Sequence, residues 1–135
     1  MNSPADDIMT ILTAVPALGL TAATNMFVGH MPEDKTSLVV CVFDTGGYDP
    51  ANIMSGSGVS RPTVEIMVRG IPGEYEDAYA KAAAIDAQLH LLTGTTVDTA
   101  RYLIISRIGD INSIGVDKGR QPLLTINYRM ERTAS

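Results

Sequence analysis

At 135 residues the chain has the length of one domain, with enough mass for a core that needs no disulfide or metal staple. Its 45% hydrophobic and 19% charged residues match the globular norm and argue against a disordered or membrane-embedded chain. A net charge of −5 is the wrong sign for a nucleic-acid binder, whose affinity for phosphate rests on clustered Lys and Arg.

Ser3-Pro4 followed by Asp6-Asp7 predicts a helix start: a capping hydroxyl, Pro in the first turn and acids at the positive dipole end. Ile8, Ile11, Leu12 and Val15 form its apolar stripe, and Pro16 with Gly19 closes it. Acids stand where a secretory signal would carry Lys or Arg, and Thr10 and Thr13 interrupt the apolar stretch. Neither a signal nor a membrane span is expected there, and the protein is expected to be soluble where it is made. Asn25–His30 is a short candidate strand, Met31–Lys35 a turn, and Ser37–Phe43 an almost wholly apolar strand expected to be covered on both faces.

Residues 44–61, with four glycines and no periodicity, are expected to form a long loop, mobile in an isolated subunit and ordered in an assembly. Strand Pro62–Arg69 follows, with Thr63, Glu65, Met67 and Arg69 alternating against Val64, Ile66 and Val68. Helix Gly73–Leu92 comes next, its face marked by Ala78, Ala82, Ile85, Leu89 and Leu92. Thr93–Thr99 reads as a polar connection, Tyr102–Ile108 as a strand, Asp110–Gln121 as a second loop, and Leu123–Glu131 as the last strand. This order predicts an α+β fold: a mostly antiparallel sheet of four to five strands with two main helices packed on one face. One domain is expected over residues 1–135, with long loops at 44–61 and 110–121.

Little in the chain suggests catalysis. The single cysteine, Cys41, lies in an apolar run and reads as a small buried hydrophobe in a strand. His30 and His90 are scattered, and no HxxxH, CxxC, GxGxxG or P-loop pattern occurs, so no metal and no cofactor are expected. Glu74, Glu76 and Asp77 suit the start of the long helix better than acid–base work. Asp44-Thr45-Gly46 after an apolar strand matches the triplet of dimeric retroviral-type aspartic proteases, in which two carboxylates share a proton. That fold is nearly all β, however, and has no place for a helix of this length; the same triplet is ordinary turn chemistry.

Three segments carry a resemblance: Leu38–Gly47, an apolar strand running into DTGG; Pro62–Leu92, with Val68-Arg69-Gly70 and the spacing of Tyr75, Ala78, Ala82, Ile85 and Leu89; and Ile114–Tyr128, where Ile114-Gly115-Val116-Asp117-Lys118-Gly119-Arg120 leads to Asn127-Tyr128. Together they cover about half of the chain, and in them it resembles the minor capsid or tail terminator proteins of long-tailed bacteriophages. The resemblance implies a non-enzymatic α+β virion subunit that forms a homo-oligomer, a six-membered ring, on the head-proximal end of the tail tube. Such a ring would stop tail polymerisation and join the tail tube protein to the head–tail connector proteins. DNA would pass through its lumen without specific binding, and assembly would occur in the host cytoplasm.

Charge is unevenly divided, which suits a head-to-tail contact between copies and equally a solvated surface with few charges: residues 1–99 hold 4 basic and 12 acidic side chains, residues 100–135 hold 6 and 3. Asp44, Tyr48, Arg61, Arg69, Asp117, Arg120 and Arg129 are the candidate subunit or head–tail contacts, and Arg101 and Arg107 are further candidate donors to acids on a neighbour. The alternatives are a head-closure or other tail-completion adaptor, or a protease acting through Asp44.

Overall fold

Ser3 starts the first helix as its chemistry dictates. Its hydroxyl accepts the Asp6 N–H at 3.2 Å, with Pro4 in the first helical position. The computed structural model describes residues 2–52 and 58–134. Along them run α1 (Pro4–Thr13), a 3-10 turn (Pro16–Leu18), β1 (Met26–Val28), β2 (Val39–Asn52), β3 (Gly58–Arg69), α2 (Tyr75–Leu89), β4 (Leu92–Val97), β5 (Ala100–Val116) and β6 (Pro122–Ala134).

The strands form a six-stranded sheet in the order β1-β2-β3-β6-β5-β4. All neighbours are antiparallel except β1 and β2, which run parallel with Met26 opposite Val40. The sheet is therefore mixed, with more strands than the four to five expected. The additional strand is β4, which the sequence disguises as a connection. Its Thr93, Gly94 and Thr96 are exposed on an edge that β5 covers on one side alone, so burial leaves little alternating pattern. Leu91, at φ +63°, makes the reversal from α2 into β4, and its N–H reaches the Ile105 carbonyl at 2.8 Å.

Both helices lie on one face. Ile8 and Leu12 from α1 and Ala78, Ala82, Ile85 and Leu89 from α2 join Val40, Val42, Val64, Ile66, Val68, Ile105, Leu124 and Ile126 in one core cluster, all without exposure. Each such Val, Leu or Ile side chain contributes roughly 1.5–3 kcal/mol when fully buried. α1 touches β1, β2 and β3 and also β4 at the far edge, so the sheet curls around the helical layer.

On the opposite face, the crossover between β1 and β2 covers one end of the sheet. Arg69 Nη2 donates to the carbonyls of Pro32 at 2.5 Å and Lys35 at 2.9 Å, and Gln121 Nε2 donates to that of Gly70 at 3.2 Å. The Cys41 thiol donates to the His30 carbonyl at 2.8 Å. Val39 and Cys41 are sealed by this strap while Val40 and Val42 face the helices, so this part of β2 is covered on both faces, as its unbroken apolar run predicts. Burial pushes the Cys41 thiol up to about 11, the signature of an inert structural cysteine.

The two expected loops are strands. Residues 44–52 continue β2 and residues 58–61 open β3, while residues 110–116 continue β5 and Gln121 leads into β6. These hairpins leave opposite ends of the sheet. Register shifts at Asp44/Gly47 and Tyr48/Ala51 in the first, and at Ile108/Asn112 and Ser113/Gly115 in the second, destroy the period-2 signal that a strand normally shows. Gly47 is demanded by close approach: a Cβ there would lie 2.3 Å from the Arg61 carbonyl oxygen. Residues 53–57 lie outside the described residues, and with them the expectation of mobility in that segment.

Candidate functional site

Where the first hairpin leaves the sheet, it shapes a cleft of about 480 Å³ on the face away from the helices. Tyr48 from β2, Arg61 from β3, Ile104 and Ser106 from β5, and Arg129, Met130 and Glu131 from β6 line it. Strand register brings these residues together: Tyr48 stands opposite Arg61, Ser106 opposite Arg129, and Ile104 opposite Glu131. Ile104 supplies the apolar part of the lining beside two guanidinium groups, while the Met130 side chain, 1% exposed, packs into the core on the other face. Arg61 and Glu131 approach to 3.9 Å with both side chains nearly half exposed, a contact too loose and too wet to hold Arg61 in place. Arg129 Nε reaches only the Ser106 hydroxyl, at 3.4 Å. The cleft is thus cationic, with donors available for an incoming carboxylate.

The family model described as "Bacteriophage tail terminator protein" matches residues 14–133. The chain belongs to the bacteriophage tail terminator protein family. It is accordingly a structural phage tail protein and a virion component. Among solved structures, it is similar in fold to a chain of the virion of a native gene transfer agent (GTA) particle. The TM-score is 0.71 at 17% identity, over 98% of this chain and 96% of that one. No curated protein matches it significantly.

The seven contact candidates of this tail terminator family member separate into three groups. Tyr48, Arg61 and Arg129 converge on the cleft. Asp117 and Arg120 lie at the far end, in the turn between β5 and β6. There Asp117 Oδ1 accepts the N–H groups of Gly119 at 2.9 Å and Gln121 at 3.0 Å, and Arg120 adopts φ +61°. Asp44 and Arg69 are engaged within the subunit. Asp44 Oδ1 accepts the Ala5 N–H at 2.9 Å and so satisfies a free donor at the start of α1. Arg69, 5% exposed, fastens the crossover strap, so it is not the surface donor that its place at a strand end suggests. The aspartic-triplet reading of Asp44 gives way to this capping bond, in a fold built on two helices.

Two polar clusters in the core were not legible as such. Asp7, on α1, is fully buried, and one of its oxygens accepts a hydrogen bond from the Tyr102 hydroxyl. Arg132 Nη1 stands 3.8 Å from it and donates to the Asn2 carbonyl at 3.0 Å. Burial raises the Asp7 carboxyl above its ordinary value, against the opposing pull of Tyr102 and Arg132. On α2, Asp86 accepts from the Tyr128 hydroxyl at 2.7 Å and from Arg107 Nη1 at 2.5 Å. Burial, then the neighbouring aspartate, raises the hydroxyl of each tyrosine, so both remain protonated donors. Arg107, offered as a donor to a neighbouring subunit, is therefore spent inside its own.

His90 Nδ1 accepts the Arg107 N–H at 3.0 Å, and His30 packs edge-on against Phe27. Among the described residues no cluster of His, Cys, Asp and Glu is arranged to hold a metal ion, and no helix is long and apolar enough to cross a membrane.

Proposed function

We propose that this chain ends tail growth. Copies close into a six-membered ring on the head-proximal end of the finished tail tube, contact the tube protein below, and offer the opposite surface to the head–tail connector proteins. The family match over residues 14–133 carries this reading. Two physical features support it. An acidic subunit suits a lumen through which DNA must slide, because surplus negative charge gives no affinity by counterion release. A ring built head to tail also needs two different surfaces on each copy. This subunit has them: the first hairpin with its cationic cleft at one end, and at the other the second hairpin, with Ile114 and Val116 exposed.

The test is assembly of tails with and without the protein, read by electron microscopy. The expected result is six-fold density at the head-proximal end when it is present, and tubes of uncontrolled length that fail to join heads when it is omitted. Tubes that reach normal length without it, yet still fail to join heads, would instead favour a head-closure or tail-completion adaptor. Density away from the head–tail junction would overturn both readings.

A further inference from the structure

The turn that leads into α2 is the reverse of the cleft in charge. Ile71 to Asp77 are seven consecutive exposed residues carrying Glu74, Glu76 and Asp77 and no base. Within this acidic run, Ile71 and Tyr75 expose 44% and 41% of their surface to solvent. Tyr79, one turn further on, is exposed as well, with its ring 6.3 Å from that of Tyr75. Single exposed hydrophobes are ordinary, but Tyr75 and Tyr79, one helical turn apart and beside Glu74, Glu76 and Asp77, form a paired aromatic patch. Such a patch is an apolar anchor inside an acidic rim. The cleft on the other side of the sheet is complementary in charge: Ile104 lies with Arg61 and Arg129 in its lining, and Tyr48, also part of it, is 55% exposed. Its volume lies within the roughly 300–1,000 Å³ of sites that enclose a small ligand, and so admits one aromatic side chain with a carboxylate.

We propose that the cleft receives the Ile71–Asp77 turn of a second copy of this chain, with Tyr75 over Ile104 and with Glu74 and Glu76 paired to Arg61 and Arg129. The inference rests on the ring reading above and names the two surfaces that would meet. A subunit cannot satisfy its own cleft. β3 separates Arg61 from Arg69 by eight residues of strand, roughly 25 Å, and the turn begins beyond Arg69 on the helical side. Contact between two unlike surfaces is head-to-tail, and it leaves one cleft and one turn open until the ring closes. Glu131 does not block it, because a wet contact at 3.9 Å yields readily to a better-placed carboxylate. Of the other adjacent acid pairs, Asp6-Asp7 has Asp7 buried in the core, and Glu33-Asp34 has no exposed large apolar neighbour and lacks the anchor.

Charge exchange tests the pairing. Full-length protein carrying R61E with R129E, or E74R with E76R, is compared with wild type by sedimentation and native mass measurement, alone and with tail tubes. All four side chains are exposed, so each variant should melt as wild type does. Each double variant should associate roughly 100-fold more weakly or worse, since like charges then face each other. The quadruple variant, and an equimolar mixture of the two double variants, should recover ring-sized assemblies. Wild-type assembly by either double variant would overturn the pairing. So would a quadruple variant that stays dissociated. A cleft variant that forms rings but no longer binds tubes would assign the cleft to an acidic segment of another tail protein instead. If wild type itself forms no ring, alone or on tubes, the ring reading fails and this inference with it.

Discussion

Each helix is fastened to the sheet by an aspartate that accepts a tyrosine hydroxyl and faces an arginine, yet the two clusters work under different conditions. Asp86 keeps 14% of its side chain in solvent and gives one oxygen to Tyr128 and the other to Arg107, so both lone-pair regions are used. Asp7 has no exposure and shares one oxygen between Tyr102 and the more distant Arg132. Its other oxygen, like Arg132 Nε, has no hydrogen-bond partner among the described residues. The same three residue types thus give a satisfied, partly wet anchor under α2 and an incompletely paired, dry one under α1. Burial without full pairing raises a carboxyl pKa, and the difference follows from geometry rather than composition.

That contrast can be broken by removing each carboxylate. Asp7→Ala is expected to cost about 3 kcal/mol in urea unfolding, because it leaves the buried Tyr102 hydroxyl without its acceptor and removes the carboxylate that faces Arg132. Asp86→Ala should cost about 1–3 kcal/mol, since water reaches Arg107. A larger loss from Asp86→Ala would reverse the ranking. The tyrosines come next: Tyr102→Phe should cost about 2 kcal/mol and Tyr128→Phe about 1 kcal/mol by the same measurement.

Acidity sharpens the comparison further. The folded pKa of Asp7 lies above its unfolded value of 3.8, so in that window the folded state holds more protons. The contribution of this group is therefore greatest at low pH and falls as pH rises through the folded pKa. Asp7→Asn removes the proton exchange, so its stability relative to wild type should increase from pH 3 to neutrality. A flat difference across urea titrations at several pH values would contradict the raised pKa. The smallest effect belongs to the cleft: Arg61→Glu should shift unfolding by no more than about 0.5 kcal/mol, because its pairing with Glu131 is exposed and long. A large shift would mean that Arg61 braces the hairpin rather than waiting for a partner.

Local rules made some elements legible. The Ser3 cap, the face of α2 and the alternation through β3 and β6 were readable because buried and exposed positions follow the helical or strand period wherever one side meets the core. The hairpin arms at 44–52, 58–61 and 110–121 were not. They project past the core, so neither face is selected for apolarity, and bulges at positive-φ glycines such as Gly46 and Gly115 break the register. The cleft was half legible. Tyr48, Arg61 and Arg129 stood among the contact candidates, but Ile104, Ser106, Met130 and Glu131 enter it only through the pairing of β5 with β6. Asp7 gave no signal, because an acid in a first helical turn has the same spacing whether it meets water or a tyrosine.

By itself the sequence determined the α+β class, the two helices, the central strands and, through three short segments, the tail terminator family. These depend on periodicity and local chemistry, which are written along the chain. The tertiary structure alone decided the six-stranded mixed sheet and the inward use of Asp44, Arg69 and Arg107. It also placed a basic cleft and an acidic turn on opposite sides of one subunit. Those outcomes depend on which distant residues share a register and which side chains lose their water, and neither is fixed until the sheet closes over its helices.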